Sequence, residues 1–147
     1  MAAAVTSGFF PVKVHIKKHP ELFEQFGAHW TPTQIVLDPD GVERHRIEGY
    51  LPVDDFIAQL GMGLGRVAFE TGRYADAQRL FLEVWTKHPK ASAAPEARYW
   101  DGVAAYKATQ DSAKLAQTAV ALRDMYPASE WARKSSVWLP QEAKQTP

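Results

Sequence analysis

The spacing of hydrophobic and polar positions changes near Pro52. Before Pro52, short apolar runs and one alternating stretch predict strands around a single helix. After Pro52, apolar residues recur every three or four positions, which predicts one helix after another. The predicted fold class is therefore α/β followed by all-α.

The region before Pro52 predicts a strand, a helix and a hairpin. Residues 9–16 alternate apolar and polar side chains from Val12 on, as in a strand, and Pro20 opens a short helix. Residues 34–37 form a short apolar run. The sequence Asp38-Pro39-Asp40-Gly41 is typical of a turn, and residues 42–48 follow it as the return strand of a hairpin.

The region after Pro52 is divided into helices by glycine and proline. The predicted helices run from Pro52 to Gly72, from Tyr74 to before Pro89, from Pro95 to about Ala108, from Ser112 to Met125, and from a Ser129 cap through Trp131 and Trp138.

Composition excludes several functional classes. The 147 residues include 17 Lys plus Arg and 17 Asp plus Glu, so the chain lacks the basic excess typical of nucleic-acid binders. No apolar run approaches the about 20 residues needed to cross a membrane, and the first residues do not form a secretory signal. We therefore expect a cytoplasmic protein that binds neither nucleic acid nor membrane.

The chain contains no cysteine. This excludes disulfides, thiolate metal sites, cysteine nucleophiles and dithiol redox chemistry for the chain as given. The five histidines fall in separate elements, and Asp54 and Asp55 suit the first turn of a helix better than an acid–base pair. We expect no catalytic residue, no metal site and no cofactor.

The segment Thr31-Pro32-Thr33, followed by a strand, the Gly41 turn, a second strand, Gly49 and a helix, resembles the second half of a thioredoxin fold over roughly residues 9–60. The resemblance implies that Pro32 is cis and that Thr31 pairs its backbone with a bound polypeptide. Trp30 would flank that site. A candidate peptide-binding site thus comprises Trp30, Thr31 and Pro32; the alternative for Trp30 is a core residue covering the end of the sheet.

The departure from this family is large. Its first strand and the helix bearing its Trp-Cys-x-x-Cys motif precede the matching region, and Ala2–Gly8 resembles only the tail of that helix. The missing strand would be central, between the strands at Val12 and Ile35. Three outcomes are open: these two strands pair directly, a second chain supplies a strand, or this half is loosely folded. We expect direct pairing in the isolated chain, and instability or self-association in solution.

The second half resembles tetratricopeptide repeats. The first repeat is identified by Leu64, Gly65, Gly72, Tyr74, Ala77, Phe81 and Pro89, and a degenerate second one by Trp100, Gly102, Tyr106, Ala116, Val120 and Pro127. The two prolines are 38 positions apart, against a repeat of about 34 residues.

In such repeats the first helices line a groove for an extended peptide or a partner helix. By this resemblance the candidate groove residues are Arg66, Tyr99, Tyr106 and Lys107. The alternative is an unoccupied, solvated surface.

These observations divide the chain into a partial thioredoxin-like domain (1–60), a tetratricopeptide-like helical domain (56–139) and a flexible tail (140–147). The favoured function is a non-catalytic protein-interaction module that binds a protein or peptide and can self-associate through its incomplete sheet. One alternative is the downstream part of a protein-disulfide oxidoreductase whose dithiol lies upstream. Another is a purely structural cap on helical repeats.

Overall fold

The computed structural model describes residues 2–141. Their elements in chain order are α1 (Ala2–Gly8), α2 (Pro20–Gln25), β1 (Thr33–Leu37), β2 (Glu43–Glu48), α3 (Val53–Glu70), α4 (Tyr74–Lys87), α5 (Ala94–Thr109), α6 (Ala113–Met125), α7 (Glu130–Ser135) and a one-turn 3-10 helix (Ser136–Trp138). The predicted change from α/β to all-helical structure is confirmed. Residues 142–147 of the predicted tail lie outside the described part.

The two strands form an antiparallel hairpin. Thr33 lies opposite Glu48 and Ile35 opposite Arg46, and a register shift follows Val36. Gly41, in the turn, has a φ of +81°, a conformation that glycine adopts without the steric cost that other residues meet. The hairpin predicted from the Asp-Pro-Asp-Gly sequence is confirmed.

The strand predicted at residues 9–16 is wrong. The segment is an irregular loop in which Phe10 is fully exposed and Val12 is 85% exposed. Pro11 has no N–H to donate to a ladder. At its other end the His15 carbonyl already accepts the N–H groups of Lys18 and His19, which turns the chain.

Direct pairing between the regions of Val12 and Ile35 is therefore also wrong. Within residues 2–141 the sheet contains only β1 and β2. An alternating sequence forms a strand only when a neighbouring strand satisfies its backbone groups, and within residues 2–141 the segment 9–16 pairs with no strand.

The helices begin and end close to their predicted bounds. The break before α4 falls at Gly72, as expected, and Pro89 follows the end of that helix. Ser129 caps α7, since its Oγ accepts the N–H of Ala132 at 3.1 Å. Asp111 accepts the N–H of Ala113 at 3.0 Å at the start of α6.

The core lies between the helices. Met62, Phe81 and Leu122 are fully buried, and α3, α4, α5 and α6 each pack against the next in the chain. One buried polar contact crosses this core, where the Trp85 Nε1–H donates to Asp101 Oδ2 at 3.0 Å. Burial raises the pKa of Asp101, while this hydrogen bond and nearby Arg98 oppose the change.

Candidate functional site: the open edge of β1

The segment entering β1 carries the candidate peptide-binding residues. The Thr31–Pro32 peptide bond is cis, as the thioredoxin resemblance implies. The Thr33 hydroxyl donates to the Trp30 carbonyl at 2.7 Å and fixes the shape of this loop. The Trp30 side chain is 68% exposed, so the alternative of a core tryptophan is wrong. Trp30, Thr31 and Pro32 are neighbours on an accessible surface.

The hydrogen bonds of the hairpin determine which backbone groups of β1 face outward. The Gly49 N–H donates to the Pro32 carbonyl at 2.8 Å, and the Asp38 N–H donates to the Val42 carbonyl at 2.9 Å. Since neighbouring residues of a strand direct their backbone groups to opposite sides, Thr33, Ile35 and Leu37 direct theirs away from β2. Among residues 2–141 these outward groups have no hydrogen-bond partner. We call them the open edge.

The neighbouring helices leave the open edge uncovered. On one face of the sheet α3 packs mainly on β2 and only marginally on β1. On the other face the end of α2 is held near β2, because the Arg46 guanidinium donates to the Phe26 and Gly27 carbonyls. An extended polypeptide can therefore approach β1 from the side.

The hairpin turn is held rigidly at the far end of this edge. The Asp38 carboxylate is almost fully buried and accepts the N–H groups of Asp40 and Val42 at 2.9 Å and the Arg44 Nε–H at 2.9 Å. The Val42 hydrogen bond contributes most to lowering the pKa of Asp38. An ionised Asp38 thus fixes the geometry of the turn.

The sheet is attached to the helical part through a polar junction. His45 of β2 contacts Gln59 of α3 at 2.7 Å, and Arg66 of α3 pairs with Glu96 of α5 at 3.1 Å close to that histidine. Burial lowers the pKa of His45 despite the opposing effect of its hydrogen bond to Gln59. A neutral His45 suits this half-buried position.

The four candidate groove residues do not share one free surface. The Arg66 guanidinium lies 4.0 Å from the centre of the Trp100 ring, in addition to its pairing with Glu96. Tyr99 stacks on Trp138 with ring centres 5.0 Å apart. Tyr106 is half-buried and Lys107 is exposed, with its ammonium 5.2 Å from the centre of the Tyr74 ring. Intramolecular contacts therefore engage Arg66 and Tyr99 most strongly.

These contacts belong to a continuous group of aromatic rings that joins α3, α4, α5 and the last helical turns. We call it the aromatic seam, and its members are Phe69, Tyr74, Tyr99, Trp100, Trp131 and Trp138. Through these rings the last helical turns pack against α5.

One further concave region, of about 150 Å³, lies between α1, α3 and α4. Its lining is mainly apolar and includes Ala4, Phe9, Leu60, Leu64 and Leu80. Within residues 2–141 no three His, Asp or Glu side chains are grouped as metal ligands. No helix in the same part of the chain is both long and apolar enough to cross a membrane.

Comparison with known families assigns the first part of the chain. Residues 2–63 match a thioredoxin-like domain. The match contains α1, the cis-proline segment, the hairpin and the first half of α3, and it covers less than half of the chain. No tetratricopeptide family matches the helices that follow the thioredoxin-like domain. No curated protein and no solved structure gives a significant match.

The resemblance predicted Trp30, Thr31 and Pro32 as site residues of the thioredoxin-like domain, whereas residues 34–37 were predicted only as a strand. The outward groups of Thr33, Ile35 and Leu37 were therefore not among the predicted site residues. The available signal was that residues 9–60 resemble the fold without its central strand, because a sheet without that strand exposes the backbone of a neighbouring strand. Assigning that exposure to Thr33, Ile35 and Leu37 required the hydrogen-bond register of the hairpin.

Proposed function

We propose that the chain is a non-catalytic protein-interaction module that binds an extended polypeptide along the open edge. The observation that carries this proposal is the open edge itself, which continues directly from the cis-proline segment and the exposed Trp30. Unpaired N–H and C=O groups in a row are a template for another strand.

Binding would occur by addition of a strand. Main-chain hydrogen bonds from Thr33, Ile35 and Leu37 supply affinity, and alternate side chains of the bound segment contact the surface beside them. Trp30 offers a large, rigid contact area at one end of this ladder. By resemblance to thioredoxins, the backbone of Thr31 extends the ladder by one residue.

The helical part would act as the scaffold and as a second contact surface. We propose that it consists of tetratricopeptide-like hairpins starting within α3, which is shared with the thioredoxin-like part. Of the four candidate groove residues, Tyr106 and Lys107 are the more accessible to a partner, because Tyr99 belongs to the aromatic seam and Arg66 packs on its Trp100 ring.

Replacing Ile35 by proline is expected to weaken peptide binding by at least about tenfold, or about 1.4 kcal/mol. The N–H at position 35 points outward, so proline removes a donor to the added strand without removing one from the β1–β2 ladder. The measurement is fluorescence anisotropy with short labelled peptides in which Val alternates with Thr.

The matched control is Ile35→Ala, which shortens the same half-buried side chain but keeps its N–H. Circular dichroism would check that both variants keep their helices. Equal affinity of Ile35→Pro and Ile35→Ala for the peptides would contradict strand addition at the open edge.

A second candidate function is that of the downstream part of a protein-disulfide oxidoreductase. It is supported by the thioredoxin-like match over residues 2–63 and by the cis Thr31–Pro32 bond, which would position a substrate for a dithiol on a segment upstream. The open edge would then receive a strand from that segment.

The chain as given is expected to reduce insulin disulfides no faster than buffer, with any reductant, because it has no thiol. Joining an upstream segment that carries Trp-Cys-x-x-Cys should create the activity if the second candidate is correct. Turnover by the pure chain itself would contradict both candidates, since both assign it no redox group.

The third candidate, a structural cap on helical repeats, is supported by contacts at the start of α3. Asp54 Oδ1 lies 2.6 Å from His88 Nδ1, and Asp55 Oδ1 accepts the Ser92 N–H at 2.7 Å. These contacts attach the first helix after the hairpin to the connection between α4 and α5. A failure of all strand-addition tests, with stability intact, would favour this function.

A further inference from the structure

We propose that the open edge pairs with the same edge of a second copy of this chain, antiparallel and centred on Ile35. This inference rests on the proposed function, because it names a partner for the same edge.

Among the registers that the hydrogen-bond pattern permits, the one centred on Ile35 pairs all three outward-facing residues of β1. The outward-facing residues are Thr33, Ile35 and Leu37. A two-fold axis at Ile35 sets Ile35 against Ile35 and Thr33 against Leu37 of the second copy. Each of these pairs consists of two outward-facing residues, so each exchanges N–H and C=O groups as a hydrogen-bonded antiparallel pair requires. The edge is thus complementary to itself.

The edge strand lacks the residue types that usually prevent two edges from pairing. Natural edge strands are protected by lysine, proline or inward-pointing charge, and Thr33–Leu37 contains no charged residue and no proline. Pro39 has no N–H to donate and ends the ladder after Leu37. The net charge of zero means that two copies do not repel each other at long range.

The helix layer on the α3 face of the sheet also leaves room for a second copy. A two-fold axis through Ile35 brings both α3 helices to the same face of a four-stranded sheet. Each α3 lies mainly over its own β2, and the two β2 strands would be about 14 Å apart at the usual strand spacing. Packed helices need about 8–10 Å between their axes, so the two helices fit side by side.

The exposed apolar loop at residues 9–16 is a poorer occupant of the edge. Pro11 and the turn at His15 leave only Val12–Val14 free to form a ladder. Pairing of two such loops about their centre would set the Lys13 side chains of the two copies against each other. The uncharged, five-residue β1 is the better partner for another β1.

The interface is small, so the dimer should dissociate on dilution. We expect the area buried by pairing two five-residue edges to be smaller than the about 1,200 Å² that is typical of stable complexes. A peptide that adds to the open edge would compete with the second copy, and its binding should weaken as the protein concentration rises.

Cysteine cross-linking tests the register, and the absence of native cysteine removes any background. Ile35→Cys should form a disulfide dimer under mild oxidation at least about tenfold faster than Leu37→Cys, because the two copies of position 37 lie about 14 Å apart, beyond the about 7 Å that a disulfide can bridge. A mixture of Thr33→Cys and Leu37→Cys should cross-link to each other, although Leu37→Cys alone does not.

Sedimentation equilibrium on the unmodified chain is the second measurement. A monomer–dimer equilibrium is expected, and Ile35→Lys should shift it to the monomer because two ammonium groups would face each other. A chain that remains monomeric at about 1 mM, or Leu37→Cys cross-linking as fast as Ile35→Cys, would overturn the proposal.

The peptide titration separates this outcome from that of the proposed function. Peptide binding to a chain that is monomeric at all concentrations would overturn the second copy as partner and leave the proposed function standing. Dimers that form in this register but bind none of the peptides would support a second copy as the partner of the open edge. They would contradict the proposal that the open edge binds other extended polypeptides.

Discussion

Gly102→Ala is expected to lower the free energy of unfolding by about 3 kcal/mol. A Cβ atom at position 102 would overlap Thr118 Oγ1 and lie 2.6 Å from both Cβ and Cγ2 of that threonine. Thr118 cannot move aside easily, because it is 1% exposed and its hydroxyl donates to the Lys114 carbonyl at 2.8 Å. The methyl group would therefore force α5 and α6 apart.

Urea denaturation followed by circular dichroism measures this effect. Alanine is a better helix former than glycine by about 1 kcal/mol, so a gain in stability would contradict the close contact. The matched test is Gly102→Ala combined with Thr118→Ala, which removes the overlapping hydroxyl and methyl groups. The double variant should lose less stability than the sum of the two single variants.

The small residues at these helix contacts were predictable from the sequence. The repeat resemblance places glycine at positions 65 and 102, where two helices approach closely. The structure agrees, since a Cβ at Gly65 would lie 2.7 Å from Phe81 Cδ1. Helix bounds were predictable for a similar reason, because glycine and proline act locally on the backbone at Gly72 and Pro89.

The strand at residues 9–16 shows where local patterns fail. Alternation at Val12, Val14 and Ile16 gives a segment that could form one side of a sheet, but a strand also needs a neighbour. Whether such a neighbouring strand is present depends on the tertiary structure and not on the local pattern. Without a paired strand, Pro11 and the turn at His15 determine the conformation of residues 9–16.

The candidate site was predictable only in part. The order Thr31-Pro32-Thr33, strand, turn and strand located the cis-proline segment and the hairpin. The exposure of Trp30 depends on what lies over the end of the sheet, and the outward direction of Ile35 depends on the register with β2. Neither is encoded in the spacing of residues along the chain.

Residue spacing also does not decide which side chains of the helical part are free to contact a partner. The tetratricopeptide resemblance predicts Arg66, Tyr99, Tyr106 and Lys107 on the inner face of the first helices of its repeats, but it does not say whether the chain's own side chains fill that face. Tyr99 contacts three tryptophan rings, those of Trp100, Trp131 and Trp138. Its contribution to folding can therefore be measured separately from any contribution to binding.

Tyr99→Ala is expected to cost about 3 kcal/mol of unfolding free energy, as for other large aromatic side chains removed from packed positions. Its ring lies 5.0 Å from Trp138 in a stacked arrangement and 5.0 Å from Trp131. Removing it would weaken the packing of the last helical turns on α5. Lys107→Ala is the matched control on the same helix, and it should cost no more than about 1 kcal/mol, the scale of its contact with Tyr74.

Urea denaturation of the two variants decides between a packing role and a groove role for this face. If Tyr99 holds the last helices in place, Tyr99→Ala should also increase hydrogen exchange across Glu130–Ser135 relative to α4, because α7 would lose an aromatic contact to α5 through Trp131. If Tyr99→Ala is as stable as Lys107→Ala, the aromatic contacts add little to folding. Tyr99 would then belong with Tyr106 as a candidate contact for a partner, and the helical face would be a groove that the chain's own rings occupy only when no partner is bound.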